Sequence, residues 1–264
     1  MSIGVWLGGL LAAVILFQLV AIPALILKRN DFADVLWGPA FPLCAFATLM
    51  LATEGGWQGA DQRTWIILDA ITIWAVRLFW HVGRRNLSHK TEDLRYQNWR
   101  KRWGNHQIIG SLLQVFLLQA VILYLFILPV LLAIASEPRP MSPVAWVGLL
   151  LWFFGFIFES VADEQLRKFK ALASSKGKLM TTGLWSWSRH PNYFGEVTQW
   201  WGIWVLVLDL PSAWMTVISP IALTFLIMRV SGVNLLEDLM EGRPGFAEYK
   251  KRTSIFIPLP PRKV

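Results

Sequence analysis

Five residues able to do chemistry crowd into one short stretch: Arg189, His190, Asn192, Tyr193 and Glu196. A guanidinium and an imidazole donate to anions, an Asn side chain matches another amide, and a carboxylate accepts from amides and hydroxyls. Asn192 and Glu196 are four apart and share one helical face, with Arg189 and His190 at its mouth. Gly183 permits a turn ahead of them, and Pro191 has the φ suited to a first helical position. The Trp200-Trp201-Gly202 run that follows reads as a helix descending into lipid. An interfacial belt, with Trp and Tyr at headgroup depth and Arg and His snorkelling, accounts for Trp185, Trp187, Trp200 and Trp201. It leaves Asn192 and Glu196 at the top of a spanning helix, where such groups are costly without partners or substrate.

Glu159, Asp163, Arg167 and Lys170 follow one another at spacings of four, four and three and form a second polar stripe. Two accounts of it stand. One is an intrahelical ladder, chiefly Asp163 to Arg167, worth only tenths of a kcal/mol. The other is a ligand wall whose acids accept ribose hydroxyls and whose basic pair reads phosphate. A third set lies near the C-terminus, where an amphipathic helix carrying Glu237, Asp238 and Glu241 precedes a turn and the tail around Tyr249. One pocket for a polar, anionic cofactor would use all three. The histidines at 81, 89, 106 and 190 show no paired spacing, and Cys44 is the one cysteine, so no metal is expected. No Gly-x-Gly-x-x-Gly fingerprint of a soluble dinucleotide domain is present.

The elements that must position these groups are membrane helices. Hydrophobic residues make up 55% of the 264-residue chain, charged residues only 16%, and the mean hydropathy is +0.46. Apolar blocks of spanning length fall near 4–27, 34–53, 64–83, 108–135, 143–163, 193–209 and 212–230. The expected fold is therefore all-α, a polytopic membrane protein of seven transmembrane helices in a single membrane domain, 1–264. Its first part, 1–107, holds three helices and a basic loop on the substrate side; its second, 108–264, holds four helices and the tail. Apart from Arg63, Arg77 and Arg139, all 25 Lys and Arg lie in alternate loops and the C-terminal region. By the positive-inside rule the N-terminus faces outward and the C-terminus the cytoplasm. That distribution explains the net charge of +8 through membrane lipids, without nucleic acid.

Several charges inside these helices are expensive in lipid. Asp31 and Asp34 open the second helix, and an N-cap role suits Asp31 better than Asp34, a turn further in. Asp69 and Arg77 lie about two turns apart in the third helix and could line an interior cavity or pair with other helices. The loop from Arg84 to Trp103 reads as an amphipathic segment on anionic lipid, which suits Lys101 and Arg102. Glu92, Asp93, Arg95 and Tyr96 suit it less, because acids are repelled by such a surface, and they are candidates to cover a site. In the helix beginning at 108, Gln114, Gln119 and Pro129 interrupt an otherwise apolar scaffold.

The segment Ser188-Arg189-His190-Pro191-Asn192-Tyr193-Phe194-Gly195-Glu196, the Asp163-x-x-Leu166-Arg167 element and the tail from Tyr249 to Pro258 resemble, in the right order, the steroid 5-alpha-reductase family. The similarity covers roughly residues 150–260, and the Arg-His-Pro-Asn-Tyr run is also similar to sterol reductases. It implies a multi-pass protein of the bacterial cytoplasmic membrane, a monomer. NADPH would bind from the cytoplasmic side, and a lipid-accessible cavity would hold a steroid or another hydrophobic enone. The resemblance implies Asn192 and Glu196 near the nicotinamide carboxamide. Glu159, Asp163, Arg167 and Lys170 would serve ribose and phosphates, and Arg189, His190, Tyr193, Glu237 and Tyr249 would complete the pocket. The implied chemistry is hydride transfer to the β-carbon of a conjugated carbonyl while an acid hydrogen-bonds its oxygen. The family draws that acid from a Glu and a Tyr of its N-terminal helices. This chain has no Tyr before Tyr96, so Asp34 and Tyr96 stand in, with Glu196 as the third catalytic candidate. Isoprenylcysteine carboxyl methyltransferases, which use S-adenosylmethionine, share the Arg-His-Pro segment and an acidic, Tyr-containing tail. The Asn192-Tyr193-x-Gly195-Glu196 extension and the basic Arg167 and Lys170 favour the reductase. A non-catalytic membrane protein would satisfy its buried acids with salt bridges.

Overall fold

The computed structural model describes residues 3–52, 60–88 and 91–262; His89 and Lys90 of the basic loop lie outside them. The described residues form helices and connecting turns with no strand, and they fall into two compact units. Unit 1 comprises Met1–Ser142 and Leu210–Thr216, and unit 2 comprises Pro143–Asp209 and Val217–Val264. The apolar helix at 108–135, grouped by sequence with the cofactor half, belongs to unit 1.

Unit 1 contains α1 (Ile3–Ile26), α2 (Phe32–Ala52), α3 (Gln62–Ser88) and α4 (Leu94–Trp103). A tight turn at Gly104–His106 leads to α5 (Gln107–Gly110), a π-helical turn at Ser111–Leu117, and α6 (Leu118–Ala135). In α1 the buried positions Val5, Gly9, Ala13, Phe17 and Ala21 recur every fourth residue and are mostly small, whereas Leu7, Leu11, Ile15 and Leu19 are exposed. Small residues inward and large aliphatic ones outward is the pattern of a helix that packs closely on neighbours and turns its bulk to lipid. Trp37 sits among aromatic rings, edge-on to Phe41 at 5.4 Å and to Phe126 at 6.1 Å. Asp69 does not line an interior cavity: it is exposed on α3, while the fully buried Ile67, Leu68 and Ile71 take the inward face.

Unit 2 contains α7 (Pro143–Ala171), α8 (Pro191–Leu206), α9 (Ile218–Phe225), α10 (Val233–Met240) and α11 (Phe246–Arg252), with a π-helical turn at Leu226–Ser231 between α9 and α10. Its core is the seam between α7 and α8. Gly148 and Gly155 on α7 face Gly202 and Gly195 on α8, so close that a Cβ on Gly148 would lie 2.4 Å from the Leu206 backbone nitrogen. Glycine at a seven-residue interval on both helices lets the backbones touch. Trp152 and Trp200 fill the flanks of the seam and are almost wholly buried.

Six of the described helical stretches are long and apolar enough to cross a membrane: Ile3–Ile26, Phe32–Leu51, Gln62–Gly83, Leu94–Ala135, Pro143–Ala171 and Ala213–Met240. These match a multi-pass membrane protein. Six rather than seven qualify because α8 has 16 residues and is about 24 Å long, short of a core of about 30 Å.

Candidate functional site

Unit 2 holds a cavity of about 540 Å³ at the C-terminal end of α7. One wall is apolar, with Leu166, Phe169, Leu179, Met240 and Phe246. Its polar lining includes Lys170, Lys176, Lys178 and Arg243, none of which forms an ion pair among the described residues, together with Arg189, His190, Glu237 and Tyr249. The sequence-derived set is thus brought together in part. Lys170, Arg189, His190, Glu237 and Tyr249 line the cavity, whereas Glu159, Asp163, Arg167, Asn192, Tyr193 and Glu196 do not.

Arg189 is the keystone of the wall. Its Nε and Nη2 donate to the two Glu237 oxygens at 3.0 and 2.6 Å, and its Nη1 donates to the carbonyls of Thr253 at 2.6 Å and Lys250 at 3.4 Å. Those carbonyls close the C-terminal end of α11, where the helix dipole is negative and a cation is favoured. The guanidinium thus donates to protein atoms from Nε, Nη1 and Nη2 while lining the cavity. His190 Nε2 lies 2.9 Å from Glu237 Oε1. A carboxylate only accepts, so Nε2 carries the hydrogen of that bond. The ring stacks on Tyr193 at 5.9 Å.

The loop before α8 is built by tertiary bonds. Gly183 has φ +62° and lies against the Gln165 side chain, whose Oε1 accepts from Leu184 N at 3.0 Å. The Trp185 indole donates to the Ala162 carbonyl at 3.0 Å, and its own carbonyl accepts from the Tyr249 hydroxyl. Burial pushes the Tyr249 hydroxyl above its ordinary pKa, so it remains a donor at neutral pH.

The polar stripe of α7 divides among three environments. Glu159, 4% exposed, accepts from Gln199 Nε2 at 2.6 Å, and Asp163 accepts from Asn192 Nδ2 at 3.2 Å, so both acids face α8. Arg167 points away and pairs bidentately with Glu164 at 2.6 and 2.7 Å, which replaces the expected Asp163–Arg167 ladder. Only Lys170 reaches the cavity. Sequence reasoning missed Lys176, Lys178 and Arg243. The signal available was the Lys176-Gly177-Lys178 run just ahead of the Gly183 turn, and Arg243 beside Pro244 in the turn after α10.

In unit 1, α4 folds back on the turn between α1 and α2. Glu92, 8% exposed, accepts from Asn30 N at 2.8 Å and from Arg100 Nη2 at 2.7 Å, anchoring the segment. Asp93 caps α4 by accepting from Arg95 N at 2.8 Å. That places the Tyr96 hydroxyl 2.6 Å from Asp34 Oδ1, while Arg95 Nη2 reaches Asp34 Oδ2 at 2.8 Å. Gln119 Nε2, just past the π-helical turn, points at the Tyr96 oxygen from 3.5 Å. Asp34 and Tyr96, 62 residues apart in sequence, are therefore in direct contact. Glu196 lies half-buried on α8 in unit 2, one turn past Asn192.

No group of three or more metal-ligating side chains occurs among the described residues. The chain is 28% identical over 197 residues to an uncharacterized protein of the fission yeast Schizosaccharomyces pombe, a match covering 66% of this chain and 56% of the yeast protein. The chain thus spans little more than half the length of that relative. No solved structure matches it. The model of the family described as "Protein of unknown function (DUF1295)" matches residues 20–253, nearly the whole of both units, and the chain belongs to that family.

Proposed function

We infer that the protein is an NADPH-dependent membrane reductase acting on the C=C bond of a hydrophobic enone, a steroid or another lipid-like molecule. The observation that carries the reading is the charge of the unit 2 cavity. Among the described residues Lys170, Lys176, Lys178 and Arg243 line it without ion-pair partners, and its carboxylate, Glu237, is already paired with Arg189. A cavity so charged suits a dinucleotide bearing a diphosphate and a 2′-phosphate. It repels S-adenosylmethionine, whose net charge is positive. About 540 Å³ lies within the range of cofactor clefts, roughly 300–1,000 Å³.

Bound NADPH would supply a hydride. The Lys176-Gly177-Lys178 turn and Arg243 would hold the phosphates, Lys170 would stand beside them, and the apolar wall would take a ring. His190 Nδ1 would hydrogen-bond a ligand hydroxyl or amide. The Tyr96 hydroxyl, held by Asp34 and Gln119, is the candidate donor of the proton that balances the hydride. In this reading α8 is the seventh membrane helix, its short apolar length extended by the turn that follows, with the N-terminus outside and the C-terminus cytoplasmic.

NADPH, NADH and S-adenosylmethionine titrated against the intrinsic Trp fluorescence of detergent-purified protein test the cofactor. NADPH should saturate and bind at least tenfold more tightly than NADH. Lys178→Ala with Arg243→Ala should weaken NADPH by about tenfold per charge-assisted contact removed, and NADH by less, since it has the diphosphate but no 2′-phosphate. Saturable binding of S-adenosylmethionine alone would move the protein to the methyltransferases. With an enone panel, Tyr96→Phe should lower kcat by about 100-fold or more while NADPH affinity stays at the wild-type value. An unchanged kcat would remove Tyr96 from the chemistry.

A further inference from the structure

Beyond α11, over residues 254–259, exposed and half-buried positions alternate along the chain. Ile255, Ile257 and Leu259 are 39%, 60% and 50% exposed. Between them, Ser254 and Phe256 are held from behind. The Ser254 carbonyl accepts from Arg189 N at 2.8 Å, the Phe256 carbonyl accepts from Ser188 Oγ at 2.7 Å, and the Phe256 ring packs edge-on against Phe194 at 5.8 Å. Leu259 N donates to the Trp187 carbonyl at 3.0 Å, which sets Trp187, itself 46% exposed, beside the row. These bonds tie this strap to the segment before α8 while four large apolar side chains, Ile255, Ile257, Leu259 and Trp187, stay exposed.

The cations around this row are equally unpartnered. Lys251 and Arg252 precede it and Arg262 follows it, all exposed and in no ion pair among the described residues. The Arg262 N–H donates to the Arg252 carbonyl at 2.9 Å, which returns the end of the strap to its start and gathers the three charges at one end. Scattered exposed aliphatic residues are ordinary on any protein. A fixed row of three with a Trp, bordered by free cations, is the composition of a segment that lies in the headgroup region, with apolar side chains in the acyl boundary and cations on phosphate.

We propose that residues 254–259, with Trp187, form an interfacial anchor that seats the cytoplasmic face of unit 2 in an anionic bilayer, and that Lys251, Arg252 and Arg262 bind the lipid phosphates. This is independent of the reductase reading, since it concerns the outer face of the strap. The Arg189 bonds to Thr253 and Lys250 tie the strap to the cavity wall, so a seated anchor also braces that wall.

The experiment is site-directed spin labelling. Cys44 is the one cysteine and is buried, so Cys44→Ala gives a clean background for Ile257→Cys, and in a separate protein Leu259→Cys. Each labelled protein is placed in nanodiscs of phosphatidylcholine with 30 mol% phosphatidylglycerol, about the composition that makes a leaflet distinctly anionic, and in discs of phosphatidylcholine alone. Power saturation with oxygen and with a water-soluble nickel chelate then reads depth. In anionic discs both labels should favour oxygen and lie below the phosphate plane. Removing the three cations by alanine substitution, or the anionic lipid, should raise them toward water. Nickel-dominated relaxation of both labels in anionic discs would overturn the anchor. Dipolar broadening that disappears on dilution with unlabelled protein would assign the row to a second copy of the chain and overturn it equally. Two label sites guard against a position that disturbs the strap.

Discussion

Gly195→Ala should destabilise unit 2 by about 3 kcal/mol or more, although it adds a single methyl group. A Cβ at this position would sit 2.5 Å from the Glu159 backbone nitrogen and 2.7 Å from the Gly155 carbonyl oxygen. Both obstacles are main chain, so no rotamer change relieves them, and α7 and α8 must move apart. Separation also lengthens the 2.6 Å bond from Gln199 to the buried Glu159 carboxylate. In scanning fluorimetry of detergent-solubilised protein the midpoint should fall by on the order of 10 °C. Gly83→Ala is the matched control, because a Cβ there meets nothing within 4 Å. Equal midpoints for the two variants would mean that the α7–α8 seam is not the close contact described.

Arg189→Ala should be nearly as damaging and should act on the tail as well as the cavity. The change leaves Glu237 with His190 as its remaining partner in the wall and strips the Thr253 and Lys250 carbonyls of their cation. Removing one member of a buried ion pair costs about 3–5 kcal/mol. Thermal stability should drop, NADPH binding should be lost, and trypsin should cut at Lys250, Lys251 and Arg252 well before it cuts the wild type. Arg189→Lys should restore only part of this, since an ammonium cannot bridge both Glu237 oxygens and a carbonyl in one plane. If Arg189 instead served as a direct phosphate ligand, the alanine variant would keep its melting point and tail protection and lose affinity alone.

The two variants bear on what can be read from sequence. Apolar length and period placed α1, α2, α3, α6 and α7 correctly, because membrane burial is written locally into every residue of a span. The basic loop was legible as amphipathic, yet its return onto the α1–α2 turn depends on Glu92 meeting Asn30 and Arg100, a tertiary event without a local signature. Asp34 and Tyr96 were each named through the family resemblance, and their 2.6 Å contact has its structural cause in that return. The α7 stripe shows where helical spacing runs out. Asp163 and Glu164 stand equally near Arg167 along a helix, and the choice between them is made by Asn192 on α8, which draws Asp163 inward. The cavity cations come from α7, from the loop after it and from the turn after α10, three places that no periodicity connects.

The Arg189–Thr253 bond spans 64 residues, and that interval has a consequence for biogenesis. When Pro191 and the rest of α8 leave the ribosome, the carbonyls that will hold Arg189 have yet to be synthesised. Until then Arg189, with Lys170, Lys176 and Lys178, leaves the segment between α7 and α8 with uncompensated positive charge, and such charge biases a loop toward the side of translation. The charge is locked into the wall only when α10 and α11 arrive. Loop charge and cavity closure thus draw on the same residues at two different times, and a nascent chain stalled before Thr253 would carry that charge while remaining unable to close its cavity.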